Sequence, residues 1–512
     1  MCGIFCIYNR RGFGFNSKEL INKYIQNGKM LNHRGNSENY RIINQKLLLF
    51  QNRLSDNDKQ ILTNNQIMII TDGTIYNYKE LYDIIKQELP NYKFKSESNS
   101  EIIIPMYLLY GSAFINKIRG MYSIILFDMN KNIILAARDH IGILSLYYAD
   151  ENDTIMFSSE MKSLVNLSKN IKIFEPGQVF INRSFFNSYI TSWNNKNNLS
   201  TEIVNYDEIK QKLISCVLSN TISDKPIGIL LNGDFNSSLI AAIMVYLKKN
   251  KLINIPIKTF TIGLEDAIDI ITAEKVSDYL QTEHSTYNFD ILDAVDVLEN
   301  VIYHLETYDI LTIRKAIPLY LLSMQIKEDS DIKVLFSGDV ANDIFGSHSY
   351  SNREEMQYEL IDKINSLHKN DLLGAHKAII ANTIELRIPF GDQDFINYVM
   401  SIDPKYKMIN SNGENNIDKY ILRKAFDDGK FLPKDVLWKK EEESIDNKKL
   451  NDGLKEYAEK EITNVKFEKR SKLFPINTPI SKEGFLYRKI FESFYKNDSC
   501  IKTVDNNINS IN

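Results

Sequence analysis

Apolar and polar positions alternate along this chain in two different rhythms. Through roughly the first 190 residues the apolar runs are short and closely spaced. Residues 3–8 read as a buried strand that ends in the turn signal Asn9-Arg10-Arg11-Gly12. Residues 17–31 carry Leu20, Ile21, Tyr24, Ile25 and Leu31 at helical spacing. Short strands are predicted at 47–50, 66–71, 123–127, 133–137 and 145–148, and helices at 78–89 and 100–111. Many short strands with few helices predict two packed sheets with helices outside them.

The second rhythm begins after an Asn- and Ser-rich stretch at 193–200, which reads as a linker. A helix is predicted at 206–220, a strand at 226–231, and a helix from 239 to 247. A second strand at 258–262 leads through Gly263 to a helix at 267–280, and a third at 332–336 ends in Ser337-Gly338-Asp339. Further helices are predicted at 291–305, 312–327 and through much of 370–430. Strands alternating with helices imply a parallel sheet whose ligands sit at the strand C-termini, where the polar loops fall.

Composition narrows the picture. The chain has 512 residues, 25% of them charged and 43% hydrophobic, as in ordinary globular proteins, and its length calls for two or more domains. A net charge of −4 gives no footprint for nucleic acid. Only four cysteines occur, Cys2, Cys6, Cys216 and Cys500, without paired ligand spacing, so zinc is not expected and a reducing, cytoplasmic location is. No apolar run nears the eighteen residues needed to span a bilayer, and no signal peptide is expected.

Cys2 is the first candidate for chemistry. Once Met1 is removed it carries both a thiol and a free α-amine, whose ordinary pKa of about 7.7–8.0 lets it act as a base near neutrality. By position alone it is better read as an ordinary small buried apolar residue. Behind it stand four polar clusters: His33-Arg34-Gly35, Arg53-Leu54-Ser55, Asp72-Gly73-Thr74-Ile75-Tyr76-Asn77 and Arg138-Asp139-His140-Ile141-Gly142. Each alone is a solvated turn. In this order behind Cys2 they resemble a class II glutamine amidotransferase domain, an N-terminal-nucleophile hydrolase with an αββα sandwich.

That resemblance implies that Cys2 attacks the side-chain amide of glutamine, and that a thioester forms, releases ammonia and is hydrolysed to glutamate. Arg53 matches the arginine that holds the glutamine carboxylate. Residues 53–57, with Leu54, Ser55, Asp56 and Asn57, match the glutamine-binding loop. The family's Asn-Gly-Glu is here Asp72-Gly73-Thr74, and the carboxylate that receives the glutamine amine is here Asn99. The Asn amide donates to the oxyanion; an ionised Asp72 has no proton to give, and loss of one such donor costs roughly 10²–10³ in rate. Asn36-Ser37 stands where Pro-Asp is usual.

In the second half, Asn232-Gly233-Asp234-Phe235-Asn236-Ser237-Ser238 follows a strand and precedes a helix, a geometry suited to phosphate. With Tyr303-His304-Leu305-Glu306-Thr307-Tyr308-Asp309, Glu385-Leu386-Arg387-Ile388-Pro389-Phe390 and Asn477-Thr478-Pro479-Ile480-Ser481-Lys482-Glu483, this half resembles the synthetase domain of glutamine-hydrolysing asparagine synthetases. That domain has an α/β ATP-pyrophosphatase (adenine nucleotide alpha hydrolase-like) fold with a helical C-terminal part.

The resemblance implies that MgATP adenylates the aspartate side chain and that ammonia arrives through an internal tunnel and displaces AMP. Leu231, Ile262, Ser337 and Gly338 would contact ATP, Asn232, Gly233, Asp234, Asn236, Ser237 and Ser238 would form the pyrophosphate loop, and Asp339 stands where the family has a Glu implicated in forming the intermediate. This loop departs from Ser-Gly-Gly-Leu-Asp-Ser-Ser: Asn236 lacks the charge that helps hold Mg²⁺, and Asp234 sets a carboxylate toward phosphate oxygens. Two unit charges 4 Å apart repel by about 4 kcal/mol at an effective dielectric of 20. Asp339-Val340-Ala341-Asn342-Asp343 replaces Glu-Gly-Ser-Asp-Glu, and the family lysine near Trp438 aligns with Glu441, beside Lys439 and Lys440.

The expectation is therefore an amidotransferase domain at 2–190 and a synthetase domain at 200–512, acting on glutamine, aspartate and ATP, with no nucleic-acid or membrane partner and with a homodimer among the assemblies allowed. The substitutions leave open a non-catalytic or glutaminase-only relative. A β-lactam synthetase-like enzyme is a third reading, against which the later motifs argue.

Overall fold

The run at residues 3–8 shows no polar alternation because its strand is covered on both faces. In a computed structural model, which describes residues 2–13, 17–35, 37–53, 61–96, 98–187, 203–265, 267–346, 350, 352–409, 417–440 and 445–504, it lies within strand Cys2–Asn9. That strand is interior to a six-stranded sheet, antiparallel to Leu47–Arg53 on one side and to Thr154–Ser158 on the other. Ile4, Cys6 and Tyr8 face a second six-stranded sheet, built around Ile67–Ile75, Gly120–Asp128 and Ile133–Arg138. Phe5 and Ile7 face the other way, as the two-residue period of a strand requires.

Helices close both outer faces, giving the αββα sandwich. Tyr78–Glu88 and Ile103–Tyr110 cover the second sheet. Ser17–Gly28 covers the first, but not alone. Phe5, Ile7, Leu48 and Phe50 share one apolar cluster with residues of helices Leu298–Leu305 and Ile310–Asp329, far along the chain.

The second half is organised on a five-stranded, wholly parallel sheet in the order Glu283–Asn288, Lys258–Gly263, Ile227–Leu230, Val334–Phe336, Glu385–Arg387. The three strands expected from apolar runs are its centre, and the two edges are additions to that expectation. Glu283–Asn288 is polar and half-exposed, and Glu385–Arg387 is three residues long. The sandwich likewise gains short or half-polar strands, among them Ser37–Ile43 and Gln178–Ile181. The expected helix at 291–305 divides into Ile291–Asp296 and Leu298–Leu305. The expected linker at 193–200 lies outside the described residues.

The helix expected from 239 starts at Phe235. Asp234 is its cap: extended at φ −70°, ψ 166°, it accepts the N–H of Ser237 at 2.7 Å. Asn236, Ser237 and Ser238 therefore lie in the first turn of the helix, not in a loop before it.

Buried charge ties the two halves together. Glu306, at the left-handed end of Leu298–Leu305, accepts the backbone N–H of Met161 at 2.8 Å and of Lys162 at 2.7 Å. Its carboxylate also pairs with Lys377 at 2.5 Å and with Lys162 at 3.7 Å. Lys162 pairs in turn with Glu160, which receives Arg34 at 3.0 Å.

Removing one partner of such a pair leaves an uncompensated buried charge. Lys377→Met is expected to cost about 3–5 kcal/mol of stability, whereas Lys315→Met, which breaks a half-exposed pair with Asp371, costs less than about 1 kcal/mol. Denaturant melts of the two variants beside the unsubstituted chain check the difference.

Candidate functional site

Cys2 stands at the start of its strand, directly opposite Arg53 in the register with Leu47–Arg53. Its backbone is gripped from two sides. The Nε of Arg34 donates to the Cys2 carbonyl at 3.1 Å, and the Cys2 N–H donates to Oδ1 of Asp72 at 2.9 Å. Arg34 and Asp72 are themselves an ion pair, both side chains fully buried. Burial works against the Arg34 charge, yet Asp72 and Glu160 hold its pKa above the ordinary arginine value.

By sequence, the Asp72 carboxylate stands in the place of a lost oxyanion donor. The structure gives that carboxylate two partners, the Arg34 guanidinium and the Cys2 nitrogen. Beside it, Gly73 has φ +107°, and a Cβ there would come within 2.1 Å of the Met121 carbonyl oxygen. Only glycine keeps this backbone in place. Thr74 donates its hydroxyl to Glu385 at 3.5 Å. Burial would push Glu385 up, but Arg387, at 2.7 Å, together with the N-terminal amine, brings it down to about 2.

Arg53 donates to Oε1 of Gln51 at 3.3 Å, and Gln51 donates to the Thr71 carbonyl at 2.6 Å. Asn99 opens the turn Asn99–Ile102, half-buried behind the Ser98 cap. Leu54, Ser55, Asp56 and Asn57 lie outside the described residues, as does Glu441.

The second cluster gathers at the C-terminal ends of the parallel strands. Leu231 is buried just past Ile227–Leu230, and Ile262 is half-buried near the end of Lys258–Gly263. Gly233 has φ +75°, and a Cβ there would meet the backbone N of Ala273 at 2.7 Å. The loop closes on itself: Ser237 donates its hydroxyl to Asn232 Oδ1 at 2.5 Å, and Asn232 Nδ2 donates to Asp234 Oδ2 at 3.3 Å. Asp234 is thus held as a cap. A 15-residue helix points its positive end at this loop.

Ser337 and Gly338 face that helix end from the neighbouring strand. A Cβ on Gly338 would lie 2.7 Å from the Ser237 backbone N, so the two loops are in contact. Ser337 donates its hydroxyl to Asp339 Oδ2 at 2.8 Å. Burial, with added repulsion from Asp371 and Asp234, pushes the Asp339 carboxyl up to about 6, and burial with Asp371 does the same to Asp343. Asn236 donates to Asn342 Oδ1 at 3.2 Å, an oxygen that also accepts Lys419 Nζ at 2.7 Å. The Asn236 Oδ1 is buried without a hydrogen-bond partner.

An apolar core spans the distance between the two clusters. Tyr76, Met121, Ile141, Ile143 and Leu144 from the sandwich share it with Leu231 and Phe235 from the loop region. Sequence reasoning does not single out Glu160, Lys162 or Lys377. Their one signal is charge inside otherwise apolar surroundings, as in Ser158-Ser159-Glu160-Met161-Lys162.

A family model for a glutamine amidotransferase domain matches residues 1–198, and one described as asparagine synthase matches 208–356 and 348–507. The nodule asparagine synthetase [glutamine-hydrolyzing] of Pisum sativum is 34% identical over 528 residues, covering 98% of this chain and 88% of that one. The asparagine synthetase [glutamine-hydrolyzing] of Triphysaria versicolor is 36% identical, with 98% and 88% covered. A probable asparagine synthetase [glutamine-hydrolyzing] of Dictyostelium discoideum is 35% identical, with 98% and 95% covered.

Gly73→Ala is expected to lower glutamine hydrolysis by at least the roughly 10²–10³ that one oxyanion donor is worth, because the strand must move to clear the Met121 carbonyl. Steady-state glutamate release, with circular dichroism to verify folding, measures it.

Proposed function

The chain belongs to the asparagine synthase family, and from that premise we propose that it is a glutamine-hydrolysing asparagine synthetase of the cytoplasm, with an amidotransferase domain at 2–190 and a synthetase domain at 200–512. The observation that carries the reading is the placement of Cys2, at a strand start with its backbone held by Arg34 and Asp72. Near-full-length similarity to proteins of that name supports it.

In the first site, the Cys2 amine takes the thiol proton and sulfur attacks the amide carbon of glutamine. The Gly73 N–H receives the oxyanion, the C–N bond breaks, and the proton leaves with ammonia. Water then cleaves the thioester to glutamate. Arg53 holds the glutamine carboxylate and Asn99 its amine, with Leu54, Ser55, Asp56 and Asn57 completing the loop. In the second site, the aspartate side-chain carboxylate attacks the α-phosphorus of ATP and pyrophosphate leaves. Ammonia then attacks the acyl carbon and expels AMP.

Mg²⁺ accompanies the triphosphate in this reading. Such an ion takes one or two carboxylates from the protein and the rest of its oxygens from phosphate and water. Asp339 and Asp343, crowded by other carboxylates, are the residues that would hold it. Bound there, the cation would offset phosphate charge. No helix among the described residues is long and apolar enough to cross a membrane.

An inactive relative gains no support from the three relatives named above, all of which carry the synthetase name. Pyrophosphate release with aspartate, MgATP and ammonium salt tests the synthetase half directly, and asparagine is the expected product. Cys2→Ala is expected to abolish the glutamine-driven reaction and keep the ammonium-driven one. Absence of aspartate-dependent pyrophosphate release from folded protein would overturn the reading.

A further inference from the structure

The nitrogen of Cys2 lies 2.9 Å from Oδ1 of Asp72, and the other oxygen of that carboxylate is fixed by Arg34. The same guanidinium holds the Cys2 carbonyl. With Met1 removed, the nitrogen at this contact is the α-amine, the group that must act as base. The inference rests on the reading of Cys2 as the glutaminase nucleophile.

We propose that Asp72 is a positioning residue that holds the Cys2 α-amine in its ammonium form at neutral pH, and so moves glutamine hydrolysis by this chain to alkaline pH. A carboxylate hydrogen-bonded to an amine stabilises its charged form, and an ammonium has no lone pair to take the thiol proton. The other charged groups around the pair are accounted for. Arg34 is shared between Asp72 and Glu160, and Arg53, across the strand pair, donates to Gln51. Glu385 pairs with Arg387, and its charge adds to burial in raising the Asp72 carboxyl, against which Arg34 and the Cys2 N–H act. His33 sits against Glu160, with its pKa lowered by burial, and His376, pushed down to about 3 by burial, is neutral.

The sign follows from the chemistry. The base must be deprotonated, so activity rises with pH through the pKa of the amine, and a raised pKa places that rise above the ordinary value of about 7.7–8.0. Asp72→Asn removes the charge and keeps the shape.

The test is the pH profile of kcat/KM for glutamine hydrolysis by the full chain, with intact mass verifying loss of Met1. The midpoint of the rising limb is expected about one unit lower in Asp72→Asn, roughly a tenfold gain relative to its own plateau on the acid side. The plateau itself is not the readout, because asparagine also offers an oxyanion donor. Competitive acetylation of the α-amine, with the thiol reversibly blocked, gives the amine midpoint in the unsubstituted chain and serves if the variant does not fold. An amine titrating at or below its ordinary value, or equal midpoints in the two proteins, would overturn the inference alone. Absence of glutamine hydrolysis at every pH would overturn the glutaminase reading beneath it.

Discussion

Glu306 takes two backbone N–H groups from the sandwich and a lysine from each half, and the rest of the structure depends on that one buried carboxylate. A carboxylate so far from water is tolerable only while all of these partners stay in place. Through Lys162, Glu160 and Arg34 the same chain of charge reaches Cys2. The position of Cys2 and the docking of the two halves are therefore set by one network.

Substituted residues in both sites have found partners within the fold. Asp72 is paired with Arg34, Asp234 caps the helix that follows it, and the Asn236 and Asn342 amides bond to one another beside Lys419. The changes at Asp72 and Asp234 read as local rearrangements of charge, whereas Asn236 keeps a buried Oδ1 without a hydrogen-bond partner.

Much of this was legible in the sequence. Strands buried on both faces announce themselves as apolar runs, which is why the run at 3–8 and the three central parallel strands stand out. Edge strands such as Glu283–Asn288 expose one side and carry polar residues, so their pattern resembles a loop. The helix after Asp234 starts earlier than its apolar spacing implies, because Asn-Ser-Ser reads as loop until the cap is recognised. Cys2 and Gly73 could be picked out by residue type. The roles of Glu160, Lys162 and Glu306 could not, because pairing such as that of Glu306 with Lys162, 144 positions apart, leaves no local trace.

The cluster that joins Phe5, Ile7 and Phe50 to Cys500, Ile501 and Val504 also sets a schedule for synthesis. At about 5–20 residues per second, the ribosome needs on the order of 20–90 s after Phe50 to deliver Val504. Until then one face of the first sheet lacks its cover, and the nascent chain presents an aromatic surface that a chaperone would have to shield.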